Sequence, residues 1–177
     1  SASVSESRAG SGDGAAPQGP GYAGWEPLIL LADGPLGSLC RREFDFVADP
    51  AGASPEEWFC RGVVALELDR GSDARHAFES AVAQRPEWKT LAVAETVLRR
   101  RRGADHDATE LRELEEGIAA LPRHSSCWAR VAHALGVLRI HDRESSDALS
   151  WLIQAQSAFA SLGNRAGEAQ ASDALGT

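Results

Sequence analysis

The stretch "SPEEWFCRGVVALELDRGSDARHAFESAVAQRPEW", residues 54–88, carries apolar side chains at helical spacing on both sides of Gly71. It opens with Ser54, a capping hydroxyl, and Pro55, which suits a first helical position; two glutamates follow in the first turn. Because Gly71 is a stop signal, the first helix should end near Asp69. The stretch therefore predicts two short amphipathic helices joined by a tight turn.

Helical patterns continue through the rest of the chain. Ser72 or Asp73 is predicted to cap the second helix, which should end before Pro86. No strand periodicity appears after residue 54, and the short connections favour antiparallel neighbours. The five later helices are predicted at about Trp88 to Arg102, Asp107 to Leu121, Ser125 or Ser126 to His141, Ser146 to Leu162, and Arg165 to Leu175.

The composition bounds the class of protein. The 177 residues suit one domain, or one domain with a tail. A net charge of −8 argues against nucleic acid as a partner, since nucleic-acid surfaces are basic. The apolar run at residues 27–32 is too short to span a bilayer, so no direct membrane span is expected. We expect a cytoplasmic protein or, after loss of a targeting peptide, one in an organelle such as a plastid.

Three segments differ in composition. Residues 1–24 contain no Leu, Ile or Phe, and we expect a disordered tail because they cannot bury enough apolar surface to offset their ordering entropy. Residues 25–53 mix apolar clusters with Pro and Gly and are interpreted as an irregular arm. Residues 54–177 form the predicted helical domain. The arm is too apolar to be left in water, so we expect it either to cap the helical domain or to dock on a partner.

The chain offers no sequence signal for chemistry. Cys40, Cys60 and Cys127 are odd in number and widely spaced, which fits neither a disulfide framework nor a zinc site. The five histidines never pair at helical spacing, and no nucleophile stands with a base. We therefore expect no catalytic residue, no metal and no cofactor, and a protein that is not an enzyme.

A period in the mid-thirties relates the helix pairs, as in the spacing from Pro86 to Pro122. Residues 55–88 resemble the tetratricopeptide repeat, while Arg61 and Ala65 depart from its usual Leu and Tyr. The resemblance implies an all-α, right-handed stack of antiparallel helix pairs, a TPR-like superhelix preceded by the irregular arm; a plain helical bundle is the alternative. The first unit matches the motif at Trp58, Gly62, Ala74, Phe78, Ala81 and Pro86.

The later units are weaker copies, and the resemblance covers about two thirds of the chain. Packing explains the residue types, since Gly62, Ala74 and Ala81 are small enough for two helices to approach closely. The second unit keeps Leu114, Gly117 and Pro122, and the third keeps Trp128, Ala132, Leu135, Ala148, Leu152 and Ala155.

Tetratricopeptide arrays imply a groove, lined by the first helix of each pair, that holds a peptide or another protein. The family's carboxylate clamp is not expected here, because Phe59 and Val63 stand where Lys and Asn would be needed. By correspondence with the family, the groove would be lined by Glu56, Phe59, Val63, Leu66 and Glu67, then by Thr90, Val93, Val97, Arg100 and Arg101, and finally by Ser126, Ala129, His133 and Val137.

The charge run Arg99–Arg102 has two interpretations. It can stabilise the carboxyl end of the third helix, or it can bind an acidic partner through Arg100 and Arg101. We expect a scaffold or assembly factor whose groove and N-terminal arm hold another protein or a large complex. The alternative is a sensor or regulatory TPR module excised from a larger bacterial-type signalling or transcription-regulatory protein.

Overall fold

The computed structural model describes residues 52–100, 107–142 and 145–176. The predicted tail, residues 25–51 of the predicted arm, and Arg101 and Arg102 lie outside the described residues. The described chain is all-α, as predicted, and its seven α-helices pack as antiparallel pairs. They are α1 (Pro55–Glu67), α2 (Gly71–Gln84), α3 (Lys89–Arg99), α4 (Ala108–Ile118), α5 (Ser126–His141), α6 (Ser145–Ser161) and α7 (Arg165–Leu175).

The first helix begins as the sequence predicts, whereas the second does not. The Ser54 hydroxyl accepts a hydrogen bond from the Glu57 N–H at 3.2 Å. The predicted cap of α2 at Ser72 or Asp73 is wrong, because the N-cap is Arg70 and no side chain caps it. Asp69 adopts a left-handed φ of 60° and turns the chain so sharply that the Arg70 carbonyl already accepts the first helical bond. The helix thus starts two or three residues earlier than predicted.

Two other predicted helices are shorter than expected. A 3-10 turn at Pro86–Trp88 precedes α3, and Arg100 is already extended, with ψ at 144°, so the helix ends before the arginine run is complete. Helix α4 begins as predicted, with a capping box between Asp107 and Glu110. It ends at Ile118 rather than Leu121 in a tight turn ahead of Pro122, because a residue that precedes proline avoids the helical conformation.

Each helix pair has one point of close approach. A Cβ added to Gly62 would lie 2.6 Å from the Phe78 ring, and Ala74 and Ala81 are buried beside it. The predicted close approach at Gly62 and the burial of both alanines are therefore confirmed. Three further glycines are crowded in the same way: Gly117 against Thr90, Gly136 against Leu152, and Gly167 against Phe159.

The first helices of successive pairs lie in a row. Helix α1 contacts α3, α3 contacts α5, and α5 contacts α7, while α2, α4 and α6 pair with their sequence neighbours. Helix α5 is central, and residues 126–136 are all buried. No helix among the described residues is long and apolar enough to cross a bilayer. A partner could therefore bind on the row formed by α1, α3, α5 and α7 or on the paired helices α2, α4 and α6.

Candidate functional site

A cleft of about 670 Å³ opens beside the first helix pair. It is lined by the last turn of α1, one side of α2, much of α3 and the start of α4. Its floor is apolar, and its members come from three helices: Leu66, Ala74, Phe78, Val82 and Val93. This volume is typical of concave sites that enclose a ligand or a few side chains of a partner.

The rim of the cleft is charged, with four basic side chains against three acidic ones. Several rim charges are already engaged: Arg100 holds Glu110 with a forked pair whose Nη1–Oε2 distance is 2.8 Å. Arg75 is exposed and makes no ion pair with a described residue. Glu79, one turn further along α2, is exposed as well, so the edge of the rim presents one side chain of each charge. Its charged members are Arg75, Lys89, Arg99 and Arg100, with Asp69, Glu79 and Glu110.

The structure brings three of the fourteen predicted groove residues together in this cleft. Leu66 and Val93 contribute to the floor, and Arg100 stands on the rim. Glu67 is exposed and Glu56 is half-buried, and both lie on α1 outside the cleft lining. Arg101 lies outside the described residues.

Four further predicted groove residues, Phe59, Val63, Val97 and His133, are buried in the core. Phe59 packs edge-on against Phe78 at 5.1 Å and against Trp88 at 5.8 Å between ring centroids. Thr90, Ser126 and Ala129, which the family correspondence also places in the groove, are buried, and Val137 is half-buried. Their role in partner binding stays a prediction, and a partner could touch the buried ones only if the core opened.

A buried polar network runs beneath the row of first helices. Arg130 of α5 donates from Nε to Glu95 of α3 at 2.6 Å and from Nη2 at 3.1 Å, although each side chain is only 1% exposed. A third donor, Nη1 of Arg130, reaches Gln170 of α7 at 2.8 Å. A buried charge is tolerated only when it is paired and hydrogen-bonded. Helix α5 can therefore pack against α3 and α7 in this way only if these contacts form.

The network extends to the first helix through Arg99. Its guanidinium also pairs with Glu95, and its Nε donates to Glu67 of α1 at 2.9 Å. Two arginines and two glutamates thus link α1, α3 and α5 with balanced charge, and Gln170 adds α7. The sequence signal was a single charged residue inside each of two mainly apolar helical stretches, "LAVAETV" and "WARVAHAL".

His133 lies one turn beyond Arg130 and is buried against Phe159, at 6.4 Å between ring centroids. Its Nδ1 atom makes no hydrogen bond to any described residue. Burial, which disfavours the charged imidazolium, lowers the pKa of His133 to about 3, and the positive charge of Arg130 acts in the same direction. His133 is therefore neutral at physiological pH.

Among the described residues, no group of three His, Cys, Asp or Glu side chains is placed to hold a metal ion. The cleft offers a surface for apolar side chains with charges at its edge. No protein-family model, curated protein or solved structure matches the chain. The resemblance to tetratricopeptide repeats thus rests on the residues of the sequence alone.

Proposed function

We propose that this protein is an interaction scaffold that binds a segment of another protein in the cleft beside α2 and α3. The observation that carries the proposal is the combination of an apolar floor with a charged rim. Apolar side chains of a partner would gain by leaving water on the floor, at roughly 25 cal/mol for each Å² buried. The rim charges would orient the partner and exclude segments of the wrong charge.

The shape of the floor favours a chain segment over a compact small molecule. On α2 alone the floor extends from Ala74 to Val82, which is about 12 Å along a helix at about 1.5 Å per residue. Val93 and Leu66 extend the apolar surface onto α3 and α1. An extended peptide covers such a surface with alternate side chains, about one every 6–7 Å on each face.

The proposal includes a right-handed TPR-like stack as the framework. Three observations support it: the ordered contacts along α1, α3, α5 and α7, the crowded glycine in each helix pair, and the network that ties the row together. In such a stack each pair covers the apolar face of the next, and the surfaces between pairs are available to partners. The cleft is one of these surfaces.

The test is partner capture with a matched pair of charge reversals. Arg75→Glu changes an exposed side chain on the cleft rim, whereas Arg165→Glu makes the same change on an exposed side chain of α7. We expect the Arg75→Glu variant to fail to capture partner proteins that the parent chain and the Arg165→Glu variant both capture. Equal retention by both variants, or equal loss, would mean that the cleft is not the binding surface. Thermal melting of both variants checks that they are folded.

A further inference from the structure

The sequence contains a segment whose pattern complements the cleft. Residues 43–47 read "EFDFV", in which aromatic and acidic residues alternate. In an extended chain, successive side chains point to opposite faces, so Phe44 and Phe46 would share one face and Glu43 and Asp45 the other. The cleft offers an apolar floor for the first face and the exposed guanidinium of Arg75 on its rim for the second.

We propose that residues 43–47 of the same chain dock along the cleft. Phe44 and Phe46 lie on the floor against Phe78 and Val82, and the acidic face meets the basic rim at Arg75. The inference rests on the proposed function, since it names an occupant of the same cleft. A partner segment must then displace residues 43–47 in order to bind, which makes them an autoinhibitory contact.

The tether is long enough to reach the cleft. Phe46 lies nine positions before Pro55, and nine extended residues span about 30 Å. Leu66 lies eleven residues into α1, about 17 Å from the start of that helix. The remaining length is enough to pass around a helix about 10 Å wide.

The tether also makes a weak contact effective. A short linker holds its ends at an effective concentration of about millimolar, so two aromatic side chains need only modest affinity to occupy the cleft. The other apolar run of the arm, residues 28–31, lacks the acidic residues that would match the rim. Charge and spacing therefore favour residues 43–47.

The experiment uses the full chain with a photoreactive benzophenone amino acid at Phe44 or, separately, at Phe46. A third protein with the same probe at Tyr22 is the control. After illumination, the band of monomer mass is digested and the cross-linked peptides are identified by mass spectrometry. We expect cross-links from positions 44 and 46 to peptides that contain residues 74–82 or 92–96, at several times the yield from position 22.

The charge reversals supply a second readout. Arg75→Glu should lower the cleft cross-links several-fold, and Arg165→Glu should leave them unchanged. Cross-links that map elsewhere in the monomer from both positions, or that appear only between two chains, overturn the proposal.

The two proposals fail in different ways. If Arg75→Glu loses captured partners while no cleft cross-link forms, the scaffold proposal stands and the occupant is wrong. If the cleft cross-links form and the Arg75→Glu variant captures as much partner as the parent chain does, residues 43–47 occupy the cleft and the partner binds elsewhere.

Discussion

Arg130 on α5 holds Glu95 on α3 through two hydrogen bonds of 2.6 and 3.1 Å, and both side chains are almost completely removed from solvent. Such a pair contributes little net stability, because the cost of taking two charges out of water offsets their attraction. Its geometry instead requires α3 and α5 to meet in one register, since any shift would leave a buried charge without its partner. Arg99 and Gln170 extend the same requirement to α1 and α7.

The first prediction concerns loss of this partner. Glu95→Ala leaves Arg130 buried without its carboxylate, so we expect the free energy of unfolding to fall by about 3–5 kcal/mol. Glu113→Ala, which removes the partner of the more exposed Lys89, should cost less than about 1 kcal/mol. Urea unfolding of the two variants measures the difference. Similar losses in both would show that the buried pair has no special role.

The second prediction concerns the close approach of α1 and α2. Gly62→Leu would place its side chain within the space of the Phe78 ring, and Ala74→Leu would enlarge a residue that is 1% exposed. Overpacking of this kind typically costs about 1–3 kcal/mol. Gly71→Ala is the control, because no described atom apart from its chain neighbours and the backbone of its own helix lies within 4 Å of the added Cβ. If the Leu variants melt with the parent protein, the assigned contact points are wrong.

The third prediction is a pH dependence of stability. The pKa of His133 is about 3 in the folded chain, against an ordinary value of 6.5, so its contribution is fully present above pH 6.5 and is lost as the pH falls from 6.5 towards 3. At pH 5.5 the loss from this group should be about 1.4 kcal/mol relative to pH 7.5. His133→Leu should reduce the fall in unfolding free energy between these two pH values. His124→Asn, at an exposed site, should retain it, and equal profiles for both variants would contradict the assignment.

Local signals predicted much of the fold. At Ser54, Asp107 and Ser125 the capping side chain accepts a hydrogen bond from a backbone N–H two or three residues ahead, so the sequence alone can indicate these caps. The start of α2 could not be predicted in this way, because it follows from the left-handed turn at Asp69. The interaction of Glu95 with Arg130 was also beyond local reasoning, since it joins residues 35 apart and exists only once two helices have packed.

The candidate site was only partly accessible from the sequence. Correspondence with the repeat family selected Leu66, Val93 and Arg100, which line the cleft. The same correspondence selected Phe59 and Val97, which are core residues, because a family position specifies a side of a helix and not what covers it. The contribution of α2 to the cleft was missed, because its apolar residues were assigned entirely to packing.

The last prediction concerns the segment that precedes α1. Removal of residues 1–51 keeps the Ser54 cap but deletes the proposed occupant of the cleft. Full burial of one Phe side chain stabilises by about 1.5–3 kcal/mol, and ordering the segment offsets part of this. We therefore expect the deletion to lower the free energy of unfolding by about 1–3 kcal/mol, as measured by urea or thermal unfolding.

Two comparisons make this prediction specific to the cleft. Deletion of residues 1–24 alone should leave the melting temperature unchanged, because that segment contains no Leu, Ile or Phe to bury. The double substitution Phe44→Ser and Phe46→Ser in the full chain should reproduce most of the loss seen on removal of residues 1–51. If the long and short deletions melt together, the apolar floor of the cleft is not covered by its own chain, and docking in cis is excluded as a source of stability.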